Sequence, residues 1–154
     1  MYKYCDIDNN ISLHDCYATK ILYENGNLTF VFPDGIWITK EHPNNETDKT
    51  VRTDMAEVRY FLYLGKECDV IVYVFRQKFN KTIREEWSLS KLIEHVNNNN
   101  CRLEFLYQYK NDVSRIIECS LWADKRPYSR ECQLHLVIKD VKYYWNNLCE
   151  EKEC

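Results

Sequence analysis

The chain has 154 residues, 45% hydrophobic and 29% charged, with a formal net charge of −3. That length suits one domain, 1–154, with a core of its own. Lys and Arg are spread along the sequence without a basic face, and no run approaches the ~18 apolar residues that span a bilayer, so neither a nucleic-acid nor a membrane partner is expected.

The opening MYKYCDIDNN contains no apolar segment of the kind a secretory signal needs, so the expected location is the cytoplasm. There the cysteines at 5, 16, 68, 101, 119, 132, 149 and 154 are expected as free thiols. None stands in a C-x-x-C spacing, so no metal site and no cofactor are expected. The Asn-x-Thr triplets at Asn45 and Asn80 carry no meaning without secretion.

His14, Asp15 and Cys16 stand before the first evident strand. In an extended chain, residues 14 and 16 share a face about 6.6 Å apart. A Cys–His dyad needs roughly 3 Å, and no glycine-rich oxyanion turn accompanies the triplet. It is expected as a strand entrance, with Asp15 accepting backbone N–H bonds in an Asx turn and His14 fastening the loop to the sheet. Asn25-Gly26 then predicts a two-residue type I′ hairpin pairing Glu24 with Asn27, Tyr23 with Leu28, Ile21 with Phe30 and Thr19 with Phe32. Asp34-Gly35 predicts a second turn that sets Trp37 opposite Phe32, and 40–50 reads as a polar loop.

Leu13, His14, Asp15 and the following hairpin resemble a segment that recurs in small uncharacterised bacterial β-rich proteins, some of them immunity-like. The resemblance covers roughly the first quarter of the chain. It implies a protein that binds and neutralises a partner toxin, and it assigns no role to a particular residue.

Residues 56–64 alternate as a strand, and 70–79 follow with apolar residues on both faces, which predicts a central strand covered on both sides. Leu89, Leu92, Ile93 and Val96 form a helical stripe, predicting one amphipathic helix around 88–98. Ser88 suits its N-cap, Trp87 is placed to staple onto Leu92, and Asn97 to Asn100 terminate it. Two strands joined near Asn111-Asp112 follow, with Phe105 expected opposite Ile117 and Leu103 opposite Cys119. A last strand runs from Cys132 towards KYYW. The fold class is α+β, mainly antiparallel β, as a sheet or small sandwich with that one helix.

His42, His95 and His135 stand alone in sequence, and Glu85-Glu86 suit the positive end of the helix. No phosphate-binding glycine loop is present. Catalysis is therefore not expected. The second half is rich in aromatics, and adjacent ones in a strand point to opposite faces. Tyr128, Tyr143, Tyr144 and Trp145 are the expected binding surface, with Glu150 to Glu153 as an acidic rim. The leading expectation is a non-catalytic protein-binding module whose partner is another protein or a second copy of itself. The alternatives are a small-molecule binder or enzyme with an aromatic pocket between sheet and helix, and a structural homo-oligomer.

Overall fold

The computed structural model describes residues 2–6 and 10–149. In chain order the strands are β1 (Tyr4–Asp6), β2 (Ile11–Ser12), β3 (Cys16–Ala18), β4 (Lys20–Glu24), β5 (Asn27–Phe32), β6 (Trp37–Ile38) and β7 (Val51–Thr53). They continue as β8 (Ala56–Leu62), β9 (Val70–Lys78), β10 (Lys81–Trp87), β11 (Arg102–Lys110), β12 (Ser114–Trp122), β13 (Ser129–Trp145) and β14 (Leu148–Cys149). Among the described residues there is one α-helix, α1 (Leu89–Asn98), between β10 and β11, and a 3₁₀ turn at Glu67–Asp69. The protein is α+β and mainly antiparallel β, as the sequence patterns predict.

The β4–β5 hairpin forms in the expected register, because Asn25 and Gly26 take φ values of 51° and 73°. The second turn behaves differently. Gly35 N–H donates to Phe32 O, but β6 then leaves β5 and pairs with β7 and β2 in a small separate sheet completed by β14. Trp37 therefore faces Ser12 and Arg52, not Phe32. Gly35 is required here: its φ is +77°, and a Cβ on it would lie 2.0 Å from the Thr53 carbonyl oxygen.

The main sheet follows the path β3–β11–β12–β13–β8–β5–β4. Only Thr19 separates β3 from β4, and its N–H donates to Val31 O, so the path returns on itself as a barrel. Phe30 and Phe32 each pack edge-to-face against Phe105 inside, with centroids 5.1 Å from it, and Tyr60 joins Phe30 at 5.9 Å.

β13 belongs to both halves. Its first part pairs with β12 and β9, its second with β8 and β1, and the register shifts between Ile138 and Asp140. The bulge inverts the phase of burial. Cys132, Leu134, Leu136 and Ile138 point inward before it, and Val141, Tyr143 and Trp145 point inward after it.

The expected β11–β12 register is not adopted: Lys110 pairs with Arg115 across a four-residue connection, so Gln108 faces Ile117, and a bulge at Leu106 then shifts the pairing by one residue. Phe105 faces Cys119 and Leu103 faces Leu121, whereas Tyr107 faces Glu118. β9 also departs from expectation. It lies between β13 and β10, with Val72 and Val74 buried, but its other face carries the exposed Ile71 and the half-buried Tyr73 and Phe75. α1 packs against β4 and β9, and the burial of Val72 and Val74 beside the exposed Ile71 shows that only one face of β9 is covered.

α1 starts and ends as predicted. Ser88 Oγ accepts from Lys91 N–H at 3.2 Å, and Asn100 adopts φ 54°. Trp87 lies against His95, with ring centroids 4.5 Å apart. Asn97 does more than end the helix. Its amide both donates to Ile21 O and accepts from Ile21 N–H at 2.8 Å, so it covers the outer edge of β4.

Candidate functional site

The His14-Asp15-Cys16 triplet forms a tight turn, with Cys16 N–H donating to Leu13 O at 3.0 Å. Asp15 holds φ 58° and donates its own N–H to Phe105 O at 2.8 Å. Its carboxylate reaches His14 Nδ1 at 3.0 Å, and the acceptor for a backbone N–H is Ser12 Oγ, on His14. The expected Asx turn at Asp15 is thus replaced by a left-handed residue, a conformation Asp tolerates. His14 rests edge-on against Tyr107, at 5.3 Å.

Cys16 is fully buried. Its thiol donates to His14 O and lies 3.8 Å from Arg52 Nη2. Burial, only partly offset by Arg52, pushes this thiol up to about 11. The Cys16 thiol is thus buried, held towards its protonated form and hydrogen-bonded to the His14 carbonyl. Among the described residues no group of three His, Cys, Asp or Glu side chains converges for a metal.

His42 is buried in the 40–50 segment, its Nδ1 accepting from Asn44 N–H and its ring 5.7 Å from Trp145. Asn45, at 7% exposure, organises this segment. Its amide donates to Ile38 O, Thr39 O and Lys49 O, and Oδ1 accepts from Thr47 N–H and Thr47 Oγ1. Cys149 is disulfide-bonded, which corrects the expectation of free thiols throughout, since pairing is set by the fold and not by short spacing. Cys16, Cys68, Cys101, Cys119 and Cys132 are free.

The expected surface of Tyr128, Tyr143, Tyr144 and Trp145 does not assemble. Tyr143 and Trp145 are buried at 1% and 0%, because the β13 bulge turns them inward. Tyr144 lies on the other face, beside Tyr2 at 5.9 Å and under the Arg59 guanidinium at 4.9 Å. Tyr128 is exposed, but it precedes the opposite end of the 17-residue β13. The acidic residues 150–153 lie outside the described residues.

Strand register places another surface together. Tyr109, Ile116, His135 and Ile71 stand opposite one another in turn across β11, β12, β13 and β9. All point to the outer face, since their neighbours Ile117, Leu134, Leu136, Val70 and Val72 are buried. The next row is Tyr107, Glu118, Gln133, Tyr73 and Glu86. Val137, two residues beyond His135, extends the face on the other side.

Tyr107 and Tyr109 are 56% and 57% exposed, and Ile71, Ile116 and Val137 are 38%, 37% and 41% exposed. Four strands make this apolar face roughly 15 Å wide. It is steadied from within. The Arg84 guanidinium sits 4.4 Å from the Tyr73 ring centre, and His135 meets the same ring edge-on at 5.3 Å.

No family model, curated protein or solved structure matches this chain. Functional inference therefore rests on the geometry. Tyr107 and Tyr109 belong to the aromatic-rich half, but Ile71, Ile116 and Val137 read from sequence as ordinary strand residues. Cross-strand register alone brings them together.

Proposed function

We propose that the protein is a non-catalytic binding module that holds another protein through the outer face of β11, β12, β13 and β9. The observation that carries this reading is the row Tyr109, Ile116, His135 and Ile71 on four adjacent strands, in which Tyr109, Ile116 and Ile71 are exposed, with Tyr107 and Val137 beside it. Exposed Tyr and Ile side chains grouped on one sheet face are costly in water and favour a contact surface. Tyr-rich composition with interspersed Glu118, Gln133 and His135 matches the mixture found where proteins meet. The resemblance of the opening segment to immunity-like proteins points to a toxin as partner. A cytoplasmic location fits the five free thiols and leaves the Cys149 disulfide as the oxidised exception among the described residues.

The test pairs wild type with a Tyr109→Thr/Ile116→Thr variant, which keeps strand propensity while removing apolar contact. Light scattering reads self-association, and affinity capture from the source cell followed by mass spectrometry reads a foreign partner. The expected result is one defined complex that the variant weakens at least about tenfold, with unchanged circular dichroism. A wild type that stays monomeric and captures nothing, or a variant that binds equally well, refutes the proposal.

A further inference from the structure

Two connections project from one end of the main sheet. β9 and β13 are adjacent and antiparallel, and their ladder stops at Val74 opposite Cys132. Beyond that rung β9 and β10 continue as a two-stranded arm to a turn at Phe79-Asn80, and β13 is entered from the 123–128 connection. Lys78 lies four residues past Val74 and Tyr128 four residues before Cys132, so both tips stand roughly 13 Å beyond the shared rung. The described residues that border the undescribed ones, in β1 and β14, belong to the opposite end of β13, near Trp145.

Both tips combine an exposed aromatic with cations. Phe79 is 89% exposed and Tyr128 55%. Lys78 Nζ lies 5.9 Å from the Phe79 ring centre, and the Arg126 guanidinium 6.0 Å from that of Tyr128. Lys78, Lys81, Lys125 and Arg126 form no ion pair with a described residue. Segment 76–84 holds four Lys or Arg and no carboxylate, and 123–130 holds three and one carboxylate, Asp124, in a chain whose net charge is −3. Next down the strands come Glu131, Glu86 and Glu85, the last held by Arg76 at 2.8 Å.

The arm carries two choices that oppose its own folding. Lys78 and Lys81 face each other directly across the last rung, where like charges repel. Phe79 holds φ 48° in a two-residue turn whose first place suits Asn, Asp or Gly, and a bulky side chain there is strained. Local conflicts of this kind gather at functional sites.

We propose that this end of the protein docks on an anionic lipid surface, Phe79 and Tyr128 entering the headgroup–acyl boundary while Lys78, Lys81, Lys125 and Arg126 meet lipid phosphates. Lys and Arg stems lie along apolar surface with their charged heads in water, which suits cations placed beside an aromatic tip. Two tips at one level fit a plane, whereas a pocket in a partner protein takes one, and a nucleic-acid duplex exposes its apolar interior only by unstacking. Attraction to anionic headgroups needs no spanning segment, and topology assembles a basic end that the linear sequence does not display. The contact is separate from the outer face of β11, β12, β13 and β9 and stands or falls independently of it.

Co-sedimentation with large unilamellar vesicles is the test, with phosphatidylcholine alone and in equimolar mixture with phosphatidylglycerol. Phe79→Asn installs a favoured turn residue, while Lys78→Gln/Lys81→Gln and Lys125→Gln/Arg126→Gln remove the cations of each tip. The expected result is binding to the anionic vesicles at least about tenfold tighter than to the zwitterionic ones, and suppressed by high salt. Phe79→Asn and each charge variant weaken it about fivefold or more, and Tyr109→Thr/Ile116→Thr leaves it unchanged. Phe79→Asn melts at or above the wild-type temperature, which a merely structural Phe79 would not allow. Equal binding of zwitterionic vesicles, none of anionic vesicles at low salt, tighter binding of a mixed-sequence DNA duplex, or indifference to any of the three variants overturns the inference. A Phe79→Asn variant that melts lower also overturns it, because Phe79 then serves the hairpin.

Discussion

Replacing Asn45 tests whether one side chain holds the 40–50 segment over Trp145. Its amide donates to the carbonyls of Ile38, Thr39 and Lys49 at 3.2, 2.9 and 2.9 Å. Oδ1 accepts from Thr47 N–H and Thr47 Oγ1 at 3.0 and 2.7 Å. Two N–H groups shared among three carbonyls, with two accepted bonds, amount to about four full hydrogen bonds. At ~0.5–1.5 kcal/mol net for each, Asn45→Ala is expected to destabilise by about 4 kcal/mol. For a chain of this size that lowers the melting temperature by roughly 10 °C. Asn45→Asp is the sharper probe, being isosteric. It turns the donor edge into an oxygen facing three carbonyls, so it is expected to cost at least as much as alanine above the carboxylate pKa. Urea and thermal unfolding followed by circular dichroism measure both variants. Limited proteolysis within 40–50 shows whether the segment opens alone. An Asn45→Ala loss below about 1 kcal/mol with unchanged proteolysis, or a fully tolerated Asp, refutes the reasoning.

Three further outcomes are expected. Asp15→Ala should destabilise by about 1 kcal/mol in urea unfolding, because Ala resists φ 58°, whereas Asp15→Gly should cost little. Native thiol titration should label Cys68 fast and the buried Cys16, Cys101, Cys119 and Cys132 slowly. Stability should fall in alkali: burial raises Cys16 from its ordinary 9.0 to about 11 and Cys132 to about 12. The unfolded chain therefore loses these protons first, and the contribution present below pH 9 is lost as pH rises through 11 to 12. Urea midpoints measured across that range for wild type and Cys132→Ala check this, the variant having the flatter slope.

What the sequence disclosed was local. Asn25-Gly26 specifies its turn through backbone conformations that few residues share, and Ser88 with the Leu89–Val96 stripe specifies a helix through capping and period. The extra residues at Leu106 and Lys139 have no such signature. A bulge shows only against the partner strand, yet each one decides which side chains reach solvent beyond it. Aromatic density groups Tyr143, Tyr144 and Trp145 as one surface in the sequence, and only the bulge decides that Tyr143 and Trp145 turn inward. The outer-face row from Tyr109 to Ile71 needs three registers at once, which no single strand pattern contains. Asn45 was concealed for another reason: a polar stretch looks like a free loop until its amide is seen bonding five groups.

The dual membership of β13 bears on how the protein is made. Among the described residues, the ladders that join β9 and β12 to β8 all run through residues 129–145, and these are translated after β3 to β12. A ribosome releasing the chain therefore presents β8, β9 and β12 with vacant edges until β13 emerges. The nascent protein cannot close its barrel in instalments. Hairpins such as β4–β5 and β9–β10 can form early, but the contacts that unite them span long separations and come late. Until then the open edges are exposed to other strands, so chaperone dependence and losses to aggregation during synthesis should track how quickly this one segment is delivered.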